Sequence, residues 1–391
     1  MIVVILVTLI AIFLTNMESH GRLENGMLWG FVLVTFLGCI HYDYGNDYMD
    51  YLQMYKEITS MPLRFSYLWD NIYQHEFGWV LLNHLFSHLG GFYVMVAVLN
   101  IIQNAIYYSF IKDNVPQTQW TLAVMIYLMS GSLYIMNFSM MRQGLAIALF
   151  VWAWSFMKDK KLIPSLLIVA AAYSFHQSAL ILIPFVFFPY LKLKRGTISI
   201  IYIALLAGLY LSSDYLSESY NALLELDELQ EVDSSNKLQY YEKNNTETLT
   251  FGLGFLLNLI PFVLALWGLF VYPSKEPEDG QEEQEADEQS EDGRRYLDRD
   301  KRLLIVIAIA SFVITPFGLL LPMMTRLGMY FEALGVAAIP AIYSLLPGKH
   351  SYRLLLGVYL FMLLYNYYGF FTSEVWGEKY ATFHTVFQFF M

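Results

Sequence analysis

Twelve stretches of this chain are too apolar to be left in water, and that confines the fold before any motif is read. They cover residues 1–16, 27–41, 91–111, 118–136, 141–157, 162–175, 177–190, 197–212, 251–272, 303–321, 328–346 and 352–371. A bilayer core accepts a helix of roughly 17–25 apolar residues, and shorter ones pass when packed or tilted. Each crossing must satisfy its own backbone N–H and C=O groups, which a helix does. The expected fold is therefore all-α, a polytopic transmembrane helical bundle of about twelve spans in a single integral-membrane domain over 1–391. Residues 77–89 are too few to cross and are expected as one re-entrant or interfacial helix. Composition agrees: 15% of residues are charged and 57% hydrophobic, where soluble domains carry about a quarter charged. The start of the chain, apolar from Ile2, lacks a basic n-region and a small-residue cleavage site, so it reads as a retained span.

Lys and Arg in short loops orient such a chain, because they stay on the cytoplasmic side. Four basic clusters stand out: Lys158, Lys160 and Lys161; Lys192, Lys194 and Arg195; Arg294, Arg295, Arg299, Lys301 and Arg302; Lys349, His350 and Arg353. With twelve spans all four fall on one side, and both termini lie on the other. The expected location is the bacterial cytoplasmic membrane, multi-pass, with the working face outside the cytoplasm. That outer face receives the aromatic and acidic loop 42–76, the corners near 137–142, 174–178 and 322–327, and the loop 213–250. The inner face receives 273–302, an acidic run of low hydrophobicity expected to be disordered. The net charge of −11 comes largely from these two acidic loops and argues against nucleic acid as a partner. A single Cys39 excludes an internal disulfide. No internal repeat of the kind many transporters carry is visible.

Polar residues at the outer ends of spans carry the functional signal. Arg142 and Gln143 open the run 141–157. A guanidinium exposed to lipid there costs a few kcal/mol at most, so it must snorkel or face a polar cavity. Its planar fork suits a phosphate or diphosphate; the plain alternative is an interfacial anchor. Arg326 repeats the situation at another outer corner, and two such arginines suit one dianionic group. His176, in Tyr173-Ser174-Phe175-His176-Gln177-Ser178, fits a general base or a hydrogen-bond donor to phosphate, or a turn residue bonded to backbone. His84 and His88 stand at i, i+4 without a third ligand, so no metal site is expected.

In His41–Ile58, Tyr44, Tyr48, Tyr51 and Tyr55 recur at helical spacing beside Asp43, Asp47 and Asp50. Flat rings with neighbouring carboxylates suit sugars; the alternative is an interfacial aromatic belt with a solvated acidic face. Glu76, just before Phe77-Gly78-Trp79, fits a base on a sugar hydroxyl or a cap on the short helix.

Taken together, these motifs resemble the EpsG family of bacterial membrane proteins, related to Wzy-type polysaccharide polymerases. The resemblance rests on Gly45-Asn46-Asp47-Tyr48 with Tyr51 and Tyr55, on Glu76-Phe77-Gly78, and on Met141-Arg142-Gln143-Gly144-Leu145-Ala146. It continues in Phe175-His176-Gln177-Ser178-Ala179-Leu180 and in Arg326 with Tyr330, so it spans about residues 40–345. It implies polymerisation of a surface polysaccharide such as exopolysaccharide, capsule or O-antigen from undecaprenyl-diphosphate-linked oligosaccharide. The acceptor's sugar hydroxyl would attack the anomeric carbon of the donor, and lipid diphosphate would leave. Arg142, Gln143 and Arg326 fit the diphosphate clamp; His176, Glu76 and Asp47 fit catalytic positions; Tyr48, Tyr51 and Tyr55 fit sugar contacts. The scheme needs no cofactor and no metal. Its partners would be membrane lipid, a flippase and a chain-length regulator. A lipid-linked oligosaccharide flippase and a membrane glycosyltransferase or ligase are the competing readings.

Overall fold

The computed structural model describes residues 1–69, 72–191, 195–212, 215, 256–257, 259–272, 298–315, 322–346, 349–373 and 376–389. The outer loop 213–250, apart from Tyr215, and the acidic run 273–297 lie outside the described residues. At the end of that run Asp298 accepts from the N–H groups of Asp300 and Lys301 and caps a helix, so residues 298–302 are ordered.

Helices account for nearly all of what is described, and the all-α expectation holds. Two compact units form, Met1–Tyr190 with Leu360–Met391, and Leu191–Tyr359. In the first unit the chain runs through α1 (Ile2–Ser19), α2 (Gly26–Ile40), strand β1 (His41–Tyr42), α3 (Tyr48–Ser60), α4 (Phe65–Trp69), α5 (Phe77–Leu89) and α6 (Phe92–Asn114). It continues through α7 (Trp120–Met129), α8 (Met141–Met157) and α9 (Leu162–Phe175). Packing follows the series α1–α2–α6–α8–α9, with α7 against α1 and α6, and α5 laid across α3, α6 and α9. Near the C-terminus a short helix, Gly377–Ala381, leads into strand β2 (His384–Thr385), which pairs antiparallel with β1. In the second unit the helix Arg299–Ile314 packs on Pro322–Ser344, beside Arg195–Leu211 and Ile260–Val271. Its residues Leu304–Ser311 are buried on every side, as a helix inside a bundle must be.

Among the described residues four helices have both the length and the apolarity to cross a membrane: Ile2–Ser19, Phe92–Asn114, Met324–Ser344 and His350–Thr372. Several others expected as spans are shorter or broken among the described residues, and 251–272 and 303–321 lie partly outside them. Residues 118–136 become α7 followed by a bend and a 3-10 turn, Ile135–Phe138, because Ser130-Gly131-Ser132 stops the helix. Residues 177–190 form 3-10 and single helical turns around Pro184 and Pro189 and make no continuous helix. Residues 77–89 are helical throughout.

Inside the first unit the bundle carries polar side chains that no apolar count reveals. Asn100, Gln103 and Asn104 lie buried on one face of α6. Tyr127 donates to Asn104 Oδ1 at 2.9 Å, and the amides of Asn100 and Asn104 donate to the carbonyls one turn back. Such bonds satisfy groups that would otherwise be orphaned in an apolar interior.

Candidate functional site

The loop after α2 reaches α3 through a tight corner. Asp43 has φ 43 and Gly45 φ 112; Asp tolerates the left-handed region, and the second value belongs to glycine. Between them Tyr44 turns inward and is fully buried, its ring meeting Phe138, Tyr380 and Phe383 edge-on. Asp47 then opens α3, its N–H donating to Ser139 Oγ at 2.9 Å.

The tyrosine stripe on α3 is helical as its spacing requires, and it faces the packed interior. Tyr48 meets His41 and Phe92, and Tyr51 meets Trp79, in one apolar cluster with Met95 and Met141. Tyr48 and Tyr51 are buried, and Tyr55 keeps part of its ring accessible. Of the neighbouring carboxylates, Asp43 and Asp47 are half-buried and Asp50 is exposed.

Arg142 stands in the first turn of α8, where the sequence placed it. Its guanidinium lies 5.7 Å from the Tyr51 ring centroid and hydrogen-bonds the Tyr51 hydroxyl. One terminal nitrogen donates to Glu76 Oε2 at 2.5 Å, an ion pair whose side chains are 22% and 13% exposed. Glu76 precedes α5 in extended conformation and makes no side-chain cap there; its carboxylate is given to Arg142. The two groups expected in separate roles are thus one unit, seated on Tyr51. Burial pushes the Tyr51 hydroxyl above its ordinary range while Arg142 pulls it back, so near neutral pH the phenol is uncharged. The Arg142 Nε–H is buried and has no hydrogen-bond partner. Pairing holds the guanidinium at the head of α8 without using all five of its donors. Asp47, one turn before Tyr51 on α3, is close enough to influence that hydroxyl electrostatically.

His176 ends α9 in an extended conformation, φ −153 and ψ 119. Its Nδ1 accepts from the Ser178 N–H at 3.4 Å and lies 2.6 Å from Ser178 Oγ. An accepting Nδ1 puts the proton on Nε2, so the neutral ring presents a donor. The helix crossing brings this corner to the Glu76 segment: a Cβ on Gly78 would stand 2.3 Å from Ser174 Oγ and 2.8 Å from the Ser174 carbonyl oxygen. Only a residue without a side chain lets α5 and α9 meet there.

Gln143 is fully buried inside the first unit. Arg326 lies half-buried in the first turns of Pro322–Ser344, in the second unit, where a Cβ on Gly328 would stand 2.4 Å from Thr315 Oγ1. Spacing alone did not single out His41, buried with Nδ1 2.6 Å from the Gly38 carbonyl and Nε2 3.2 Å from that of Phe138. Ser139 and Tyr380 were also not singled out, because their partners are remote along the chain. Among the described residues no group of three His, Cys, Asp or Glu is placed to hold a metal ion.

A family model described as the EpsG family matches residues 27–383. No curated protein and no solved structure matches the chain.

Proposed function

The chain belongs to the EpsG family, a Wzy-like, polymerase-related group of membrane proteins, and from that premise we propose that it polymerises a surface polysaccharide at the outer face of the cytoplasmic membrane, in a bundle of about twelve crossings. Its donor is an undecaprenyl-diphosphate-linked oligosaccharide. The observation that carries this reading is the Arg142–Glu76 pair on Tyr51: a half-buried guanidinium at a span mouth with donors to spare. Helix α8 rises about 24 Å from Arg142 to Lys158, which supports a reading with the basic anchors inside and Arg142 near the opposite surface.

In this mechanism the donor diphosphate lies against Arg142, with Gln143 supporting the turn from within. The acceptor hydroxyl oxygen forms a bond to the anomeric carbon. The bond from that carbon to the phosphate oxygen breaks, and its electron pair leaves with the lipid diphosphate. Negative charge on the leaving group grows in the transition state, so fixed donors stabilise it more than the ground state. His176 adds an Nε2–H to the same end. Glu76 is held by Arg142, and Asp47 takes the acceptor proton. Tyr55, the accessible end of the α3 stripe, packs on a sugar face, over a platform built from Tyr48 and Tyr51.

The purified full chain, reconstituted into vesicles with undecaprenyl-diphosphate-linked repeat units, is expected to build a polymer ladder. Asp47→Asn should cut kcat by about 10²-fold or more while lipid-linked units still bind. Movement of the units across the bilayer without chain growth would establish a flippase instead. Transfer of one finished chain to a different acceptor would establish a ligase. Cysteines introduced at 176 and 326 are expected to label from outside; labelling from the cytoplasmic side overturns the orientation.

A further inference from the structure

The first unit contains a junction that the mechanism above does not use. Three segments remote in sequence meet at Gly45, Ser139 and Tyr380. Gly45 donates its N–H to the Lys379 carbonyl at 3.4 Å, and Ser139 Oγ accepts from Asp47. A Cβ on Gly45 would stand 2.6 Å from Ser139 Cβ and 2.9 Å from the Tyr380 hydroxyl. The tail is tied down on both sides of Tyr380. Strand β2 pairs His384 with Tyr42 and Thr385 with His41, and the Met1 amine donates to the Ala381 carbonyl at 2.8 Å. Tyr380 itself is fully buried, its ring edge-on to Tyr44 and Phe370 at 4.9 Å.

The ring is fully used in packing, and the hydroxyl is not. It stands beside Ser139, whose Oγ accepts from the Asp47 N–H, and it makes no full hydrogen bond there. A buried hydroxyl left in that state costs free energy that phenylalanine would recover in the same space. Burial raises its pKa, so it stays protonated and can only serve as a neutral donor or acceptor.

We propose that Tyr380 is a positioning residue for the polymerisation site, its hydroxyl orienting Asp47 through the Ser139 corner and making the C-terminal tail part of the working site. This rests on the role given to Asp47 above. The tail strap sets the start of α3, and α3 carries Tyr51 and hence the seat of Arg142. The hydroxyl acts on the Asp47 segment during turnover, so its contribution appears in kcat and not in folding.

The test compares full-length Tyr380→Phe, Asp47→Asn and the double variant in vesicles with undecaprenyl-diphosphate-linked repeat units. Thermal unfolding is measured alongside kcat and KM. Tyr380→Phe is expected to unfold at or above the wild-type temperature while kcat falls on the order of tenfold and KM stays within about twofold. The double variant is expected to be no slower than Asp47→Asn, since both changes act on one group. Wild-type kcat in Tyr380→Phe beside an inactive Asp47→Asn overturns this inference and leaves the Asp47 reading intact. Full activity in Asp47→Asn overturns that reading and this inference with it. A kcat loss in Tyr380→Phe matched by a fall in unfolding temperature would make the hydroxyl purely structural and overturn the proposal.

Discussion

Arg142→Ala is expected to lower kcat for polymer formation by about 10²–10³-fold, the usual cost of losing one donor aimed at developing negative charge. The same change leaves Glu76, 13% exposed, as a half-buried carboxylate without its partner. Breaking a buried pair from one side costs about 3 kcal/mol or more, so the variant should also unfold at a lower temperature. The two effects separate in Glu76→Ala with Arg142→Ala. Removing both charges should restore most of the lost stability, while polymer formation stays down. Arg142→Lys keeps the charge and loses the planar fork, so it is expected to recover only part of the rate. Recovery of activity together with stability in the double variant would show that the pair only holds helices together. Wild-type polymer from Arg142→Ala would remove the clamp from the mechanism.

The second large effect is expected at Gly78, which touches no substrate. Alanine there would put Cβ 2.8 Å from a backbone oxygen on α9, so the helices must move apart. Overpacking of this kind costs about 1–3 kcal/mol. The shift falls between Glu76 and His176, and a displacement near 1 Å at a reacting centre costs about 10²-fold in rate. Ser174→Ala, combined with Gly78→Ala, relieves the 2.3 Å contact with Oγ but leaves the carbonyl one, so it should rescue only partly. Gly357→Ala serves as the control, because nothing lies within 4 Å of its Cβ; it should be neutral or slightly stabilising. Equal unfolding temperatures and equal rates for Gly78→Ala and wild type would mean that the α5–α9 crossing does not set the site.

Which helix ends carry polar side chains was legible in advance, and little of how they pair. Arg142 was marked by charge at the head of an apolar run, and Glu76 and His176 by polarity at helix ends. The tyrosine stripe on α3 had the right period but an undetermined facing: spacing says that Tyr48, Tyr51 and Tyr55 share a face, and packing against Trp79 and Phe92 buries the first two. The cap reading of Glu76 failed for a related reason. A carboxylate before a helix can bond that helix's N–H groups, yet a guanidinium within reach is the stronger partner, and only the fold brings it there.

What the sequence by itself determined was the all-α class of the molecule and the bounds of helices such as α8 and α9. Apolar run length, prolines, glycines and basic clusters act locally or on the membrane as a whole, so they can be read along the chain. Arg142 and Lys158–Lys161 at opposite ends of one helix belong to this kind of information. The tertiary structure alone decided that Glu76 takes one edge of Arg142, that Tyr51 seats the pair, and that Gly45, Ser139 and Tyr380 close over Asp47. Those contacts depend on which helices meet and at what angle, and ion pairs and hydrogen bonds fall off within a few ångströms, so residue spacing carries no record of them.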